Sequence, residues 1–292
     1  SLQVDATIVL MEELEKAGIT GYVGKVNMDR NGGVDLEETT EESISETKRW
    51  IEISKKFKYI KPIITPRFTP SCTNELREEL GNIAKENDLP IQSHLSENKG
   101  EIAWVKELHP DCQEYWETYD KYNLWNNKTL MAHCVHSSQR ELDAIKRAGV
   151  YVVHCASSNE NLSSGYAHIR KMLNQNIKVV LGSDIAGGDH ISMFDNVTST
   201  IRASKARNIM DEYNTPFLTV EEAVYLATSA ANSFFNEKPG FAVNSELHAI
   251  VLDDSKLPRI RNLSIKERFE RAMYLRQEDA ITAVYSVGRK IK

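Results

Sequence analysis

TLMAHCVHSSQRELDAIKRAGVYVVHC, residues 129–155, contains the unit that decides the fold. TLMAHC (129–134) and YVVHC (151–155) are short apolar runs that predict strands. Between them Ser138 and Glu141 match the S/T-x-x-E capping box, Leu142 and Ile145 recur at helical spacing, and Gly149 sits where a helix ends. Strands that are buried on both faces and separated by helices imply a parallel sheet, because each crossover helix covers a face of it.

The same alternation extends in both directions. GYVGKVN (21–27), YIKPIIT (59–65), PIQSH (90–94) and IKVVLGSD (177–184) bring the predicted strands to six, all in βα order. Thr39 with Glu42 and Thr219 with Glu222 supply further capping boxes, and Gly18 closes an amphipathic helix that begins with the chain itself. Leu76, Leu80, Ile83 and Ala84 form a helical stripe that covers the sheet. These patterns fit a doubly wound sheet or a (β/α)8 barrel. Strand ends favour the barrel, whose strand C-termini converge on one mouth. Five of the six runs end in reactive side chains: Arg67, His94, His133, His154 and Asp184. Six strands leave a TIM-type barrel two short, and the chain opens as if in mid-domain. Beyond residue 240 the pattern changes. AVNSELHAIVLDD (242–254) and ITAVYSVGRKIK (281–292) read as strands of a small β appendage, separated by a charged loop and helix over 256–280. The expected division is residues 1–240 for the barrel portion and 241–292 for the appendage.

Composition bounds the function. The 292 residues are 41% hydrophobic and 27% charged, which is globular, and a net charge of −6 with scattered lysines and arginines disfavours nucleic acid. Cys72, Cys112, Cys134 and Cys155 form no C-x-x-C pair, so neither a disulfide framework nor a thiolate zinc site is expected, and a reducing cytoplasm is. No apolar run approaches the roughly 20 residues of a membrane span, and no signal peptide opens the chain. A small, roughly neutral ligand remains.

One histidine at a strand end is more often a hydrogen-bonded structural residue than a ligand. Three histidines and an aspartate at successive strand ends point instead to Zn2+ or Fe2+, which imidazole and carboxylate oxygen bind and which lower the pKa of a bound water from 15.7 to about 7. Glu97, three residues after His94 in IQSHLSE (91–97), then has a general acid–base role; alone it reads as a solvated loop acid or a first-turn helix acid. ITPRFTPSC (64–72) sets Arg67 and Phe68 between two prolines. A guanidinium there donates to a carbonyl or ring nitrogen and the aromatic stacks on a flat ring, against the alternative of a surface Arg beside a core Phe. In GSDIAGG (182–188) the paired glycines allow a tight turn beside Asp184.

The ordered set PRFTPSC, IQSHLSEN, MAHC, HCASSNENLSSG and LGSDIAGG resembles the metal-dependent amidohydrolase superfamily, most closely its guanine-deaminating members. The likeness runs from Gly21 to Gly188 and more weakly to about Phe235. It implies hydrolytic deamination of guanine to xanthine and ammonia by metal-activated water, with zinc, or iron as the alternative, a small purine substrate and a homodimer. Carried over to these positions, His94 is the metal ligand of the fifth barrel strand. Asp184 at the eighth binds the metal and takes a proton from the water. His133 at the sixth polarises that water or the tetrahedral centre, and Glu97 carries protons to the purine. Arg67 and Phe68 match the guanine-holding pair, while His154 and Asn159 shape the pocket.

The chain departs from the family in two places. No H-x-H pair occurs, although the family's first strand carries one as two metal ligands; strands one and two are therefore expected upstream of Ser1. On that expectation the chain alone binds metal poorly and leaves a barrel edge open. HCASSN also stands where these deaminases more often have HCPNSN. The other zinc deaminase class is excluded by the missing C-x-x-C. The alternatives are a deaminase or chlorohydrolase for another purine or a triazine, and a non-catalytic scaffold on the same fold.

Overall fold

The computed structural model describes residues 3–33, 36–238, 241–257, 261–275 and 278–292. The first two residues of the predicted opening helix, residues 239–240 at the expected domain boundary, and residues 258–260 and 276–277 of the charged loop-and-helix segment lie outside the described residues.

Each of the six predicted strands forms where its apolar run lies. The first is split into β1 (Gly21–Val23) and β2 (Val26–Asn27), and the second into β3 (Ile60–Pro62) and β4 (Thr65–Pro66). The next four are β5 (Ile91–Leu95), β6 (Thr129–His133), β7 (Tyr151–His154) and β8 (Lys178–Leu181). β1 pairs in parallel with β3 and β2 with β4, and a parallel bridge from Ile64 to Ile91 continues the succession. The strand order β5-β6-β7-β8 follows the sequence, as right-handed βα crossovers produce. β5 meets β6 with His94 opposite Ala132 and Leu95 opposite His133.

The chain divides into two compact units, residues 1–153 with 175–178 and residues 154–174 with 179–292. In the first, Trp50 and Ile51 of the helix Thr40–Ser54 and Leu76, Leu80 and Ile83 of the helix Asn74–Glu86 are buried with Ile60, Ile63 and Ile64 of the strand region. Thr39 and Glu42 make the full reciprocal capping box. Ser138 accepts from the Glu141 amide, but no return bond from Glu141 completes a box, and the Glu141 side chain is buried with Leu142 and Ile145. Gly18 and Gly149 close their helices at φ 76° and 73°, where a side chain is disfavoured.

In the second unit Phe194, Val197 and Ile201 of the helix Met193–Met210 pack with Ala223 and Met273, and Leu181, Leu252, Phe269 and Ile281 lie against them. Thr219 and Glu222 cap the helix Val220–Ala227 with a complete box. β9 (Ala249–Leu252), β10 (Ile281–Ser286) and β11 (Arg289–Lys290) form an antiparallel sheet in the order β11-β10-β9. The expected helix of the charged segment is Ile265–Tyr274. Among the described residues no helix is long and apolar enough to cross a membrane.

Candidate active site

β5 alternates buried and half-buried positions, which places His94 on the same face as Gln92. The His94 Nδ1 lies 2.5 Å from the main-chain carbonyl of Arg67. A carbonyl oxygen only accepts, so Nδ1 carries the proton and, in the neutral ring, the free lone pair is on Nε2, where it could bind a metal. Two hydroxyls hold the strand behind it. Tyr119 Oη donates to the His94 carbonyl (2.8 Å), and Ser93 Oγ, 2.9 Å from that phenol, donates to the Pro66 carbonyl (2.7 Å). Tyr119 is fully buried, and burial pushes its phenol up to about 12, so it remains a donor at neutral pH.

His133 departs from strand alternation. Its register partner Leu95 is one residue beyond His94, so regular extended backbone would direct the two histidines to opposite faces. Instead His133 and Cys134 adopt φ of 75° and 48°, and the His133 ring stacks on His94 with centroids 5.3 Å apart and planes at 19°. Left-handed backbone at a non-glycine residue costs about 1–3 kcal/mol and is held in place by its surroundings.

Glu97 follows β5 through Ser96, itself at φ 48°. One of its carboxylate oxygens is 3.8 Å from His133 Nε2. Glu97 precedes the N-cap, Asn98, of the helix Lys99–Leu108 and so is outside the helix's first turn. Glu101 holds the approach: its Oε2 accepts from the amides of Glu97 (2.7 Å) and Asn98 (3.3 Å), and its Oε1 accepts from Tyr115 Oη (2.7 Å). Burial raises the Glu101 carboxyl above its ordinary range.

Arg67 is exposed, with its guanidinium 5.7 Å from the Phe68 ring centroid and Nη1 3.4 Å from Met28 Sδ. Phe68 stands edge-on to His94 and to Trp104, with centroids at 6.4 and 6.2 Å. Arg30 stiffens the loop by donating to the Thr69 (3.0 Å) and Pro70 (3.1 Å) carbonyls. Its guanidinium also lies 3.3 Å from His109 Nε2, and that of Arg77 lies 3.1 Å away. Guanidinium only donates, so Nε2 accepts. Desolvation and the two cations push His109 down to about 4, leaving it neutral.

In the second unit, His154 ends β7 and its carbonyl accepts from the Gly182 amide (3.1 Å). His154 and Asn159 are both buried, and the Asn159 carbonyl closes a turn by accepting from the Ser164 amide (2.8 Å). Asp184, at φ 46°, accepts a 2.5 Å hydrogen bond from Ser158 Oγ and closes its own turn through the Gly188 amide (2.6 Å). A Cβ on Gly187 would fall 2.6 Å from Ser158 Oγ and 2.7 Å from Asp184 Oδ2. The glycine is thus required by close packing against the carboxylate.

The first unit therefore brings together His94, His133, Glu97, Arg67 and Phe68, and the second surrounds Asp184 with Ser158 and the Gly187 turn. Sequence reasoning did not single out Ser158, Tyr115, Tyr119, Glu101 or Trp104. The one local signal was Asn98-x-x-Glu101, a capping box with asparagine in place of Ser or Thr. The tyrosine contacts span 14 to 26 residues and have no local signature.

The model described as "Amidohydrolase family" matches residues 3–268. A guanine deaminase of Dictyostelium discoideum is 40% identical over 301 aligned positions, which span 100% of this chain and 67% of that protein. One from Mus musculus is 38% identical over 305 positions, with the same coverage of each. Among solved structures, a guanine deaminase from C. acetobutylicum with bound guanine in the active site superposes with a TM-score of 0.96 at 44% identity, covering 100% of this chain and 70% of that one.

Proposed function

We propose that this chain, which belongs to the amidohydrolase family, carries out the hydrolysis of guanine to xanthine and ammonia. Its fold is of the α/β, TIM-barrel type, consistent with parallel strands that follow one another in chain order. The observation that carries the reading is the 2.5 Å contact between His94 Nδ1 and the Arg67 carbonyl, which ties a ring whose Nε2 is set for metal to the loop carrying Arg67 and Phe68. Relatives named for guanine deamination, and the guanine-bound structure at 44% identity, support the substrate.

The family is metal-dependent, and the donor set fits a metal. We assign the imidazoles of His94 and His133 and the carboxylate of Asp184 as its holders, a nitrogen-rich set suited to Zn2+ and also to Fe2+. When bound, such a metal supplies Lewis-acid activation of water near neutral pH. The remaining chemistry belongs to the side chains. Asp184 takes a proton from the water that attacks the ring carbon bearing the amino group. His133 polarises the oxygen, and Glu97 passes protons to the ring nitrogen and to the departing ammonia. Arg67 donates to the purine edge, Phe68 packs on its ring, and His154 with Asn159 shape the wall. Oxygen from water replaces the amino nitrogen, which leaves as ammonia.

We also propose a barrel portion over residues 1–240 with the β appendage over 241–292, a homodimeric assembly and a cytoplasmic setting, the last supported by four buried cysteines. The test is Glu97→Gln in the full-length enzyme. It retains zinc and loses at least about 10²-fold in turnover of guanine; unchanged turnover removes Glu97 from the reaction. A parent protein that leaves guanine intact while hydrolysing another purine or a triazine overturns the substrate.

A further inference from the structure

We propose that Tyr115 and Tyr119 are positioning residues, one for each half of the chemistry: Tyr115 fixes the backbone that carries Glu97, and Tyr119 fixes His94 together with the loop that carries Arg67. The inference rests on the roles proposed above for those three residues. Both tyrosines come from the segment between the helix Lys99–Leu108 and β6. They are four residues apart around the short helix Glu117–Asp120, their rings stack with centroids 5.9 Å apart at 17°, and both are buried.

Each phenol makes a different connection. Tyr115 Oη donates to Glu101 Oε1, and the opposite oxygen of that carboxylate takes the amides of Glu97 and Asn98. A carboxylate gripped at one oxygen by a buried donor cannot rotate without releasing the other, so the phenol sets where the Glu97 main chain lies. Tyr119 has one proton and donates it to the His94 carbonyl. That proton is shared with Ser93 Oγ, which accepts at 2.9 Å, and Ser93 gives its own single proton to the Pro66 carbonyl at 2.7 Å, with the Arg67 carbonyl 3.1 Å away. The segment is itself pinned to the same loop: Thr118 Oγ1 is 2.7 Å from Thr69 Oγ1, and Arg77 Nη1 donates to the Thr118 carbonyl at 2.9 Å. Partners that orient a metal ligand commonly change metal affinity or activity by about 10- to 100-fold when removed.

Phenylalanine keeps each ring and removes only the hydroxyl, so the two arms are separable. Tyr115→Phe is expected to lower kcat about tenfold with the KM for guanine within about twofold. It also speeds hydrogen exchange at the Glu97 amide, which needs neither metal nor substrate. Tyr119→Phe is expected to raise the KM for guanine and to speed zinc loss to a chelator by about tenfold. A purely structural pair of core tyrosines lowers thermal stability without this division. Ser93→Ala breaks the same arm without touching a core ring, and carries the KM test if Tyr119→Phe does not fold. If the parent protein fails to turn over guanine, the functional reading falls, while amide exchange and zinc retention still judge the brace. Unchanged Glu97 exchange in Tyr115→Phe, or unchanged zinc loss in Tyr119→Phe, overturns it.

Discussion

Gly187→Ala is the smallest change that reaches the proposed proton acceptor. The added methyl group has nowhere to go: its carbon would stand 2.6 Å from Ser158 Oγ and 2.7 Å from Asp184 Oδ2, while those two oxygens are themselves joined by a 2.5 Å hydrogen bond. Ordinary contact needs about 3.5 Å or more, so both oxygens must retreat by most of an ångström. The Gly188 amide holds the Asp184 carbonyl at 2.6 Å, so the turn resists following. Overpacking of this kind costs about 1–3 kcal/mol, and a lost hydrogen bond to a charged group costs about 1.5–3 kcal/mol. If only the second term reaches the transition state, kcat/KM falls by about 10- to 150-fold. Urea unfolding and steady-state guanine turnover measure the two terms separately. Ser158→Ala removes one of the colliding oxygens, so the Gly187→Ala, Ser158→Ala double variant should lose less than the sum of the single variants. Full activity and unchanged stability in Gly187→Ala refute the argument, and strict additivity in the double variant refutes the account of the clash.

Two further outcomes follow from buried and exposed charge. Burial raises the Glu141 carboxyl from 4.5 to about 7, with the Ser137 and Ser96 hydroxyls partly offsetting it. The folded protein thus holds this proton more tightly than the unfolded chain, and the associated stability is present below pH 4.5 and lost as pH rises through 7. The gap is worth about 3 kcal/mol, so Glu141→Gln should gain on the parent by under about 1 kcal/mol at pH 5 and by about 3 kcal/mol at pH 8; urea midpoints that shift equally at both pH values contradict this. Arg67→Ala should raise the KM for guanine by the equivalent of about 1–3 kcal/mol with zinc content unchanged, and an unaltered KM favours a different substrate.

The strands were legible because their signals are local. TLMAHC and YVVHC carry their apolar runs within five or six residues, and Ser138 and Gly149 mark the ends of the helix between them. The βα order then placed His94, His133, His154 and Asp184 at or just beyond the ends of successive strands. The positions that needed three dimensions are those where backbone or burial departs from the local rule. Strict alternation sends His133 away from His94, and only its left-handed φ of 75° brings the rings into a stack. The Ser138–Glu141 motif predicts a reciprocal cap, yet Glu141 turns inward. Ser158 lies within the quoted motif HCASSNENLSSG, but its bond to Asp184 joins residues 26 apart and has no spacing rule to reveal it.

The Arg67 carbonyl is where these threads meet. Its oxygen accepts from His94 Nδ1 at 2.5 Å and lies 3.1 Å from Ser93 Oγ, whose proton goes to the neighbouring Pro66 carbonyl, and the same residue's guanidinium lies over Phe68. The bond from His94 is made to the main chain and requires no side chain of Arg67. The two functions of that residue are therefore separable by chemistry. Its backbone sets the His94 tautomer whatever the side chain is, and its guanidinium is the group proposed to hold the purine. Arg67→Ala should thus leave the metal end intact, whereas a change that moves the loop backbone, such as loss of the Arg30 bonds to the Thr69 and Pro70 carbonyls, should disturb both ends together. On the proposed roles, the rigidity of residues 66–70 matters more to His94 than to Arg67, because a metal-holding ring tolerates less displacement than a long, exposed side chain that can re-aim its own head group.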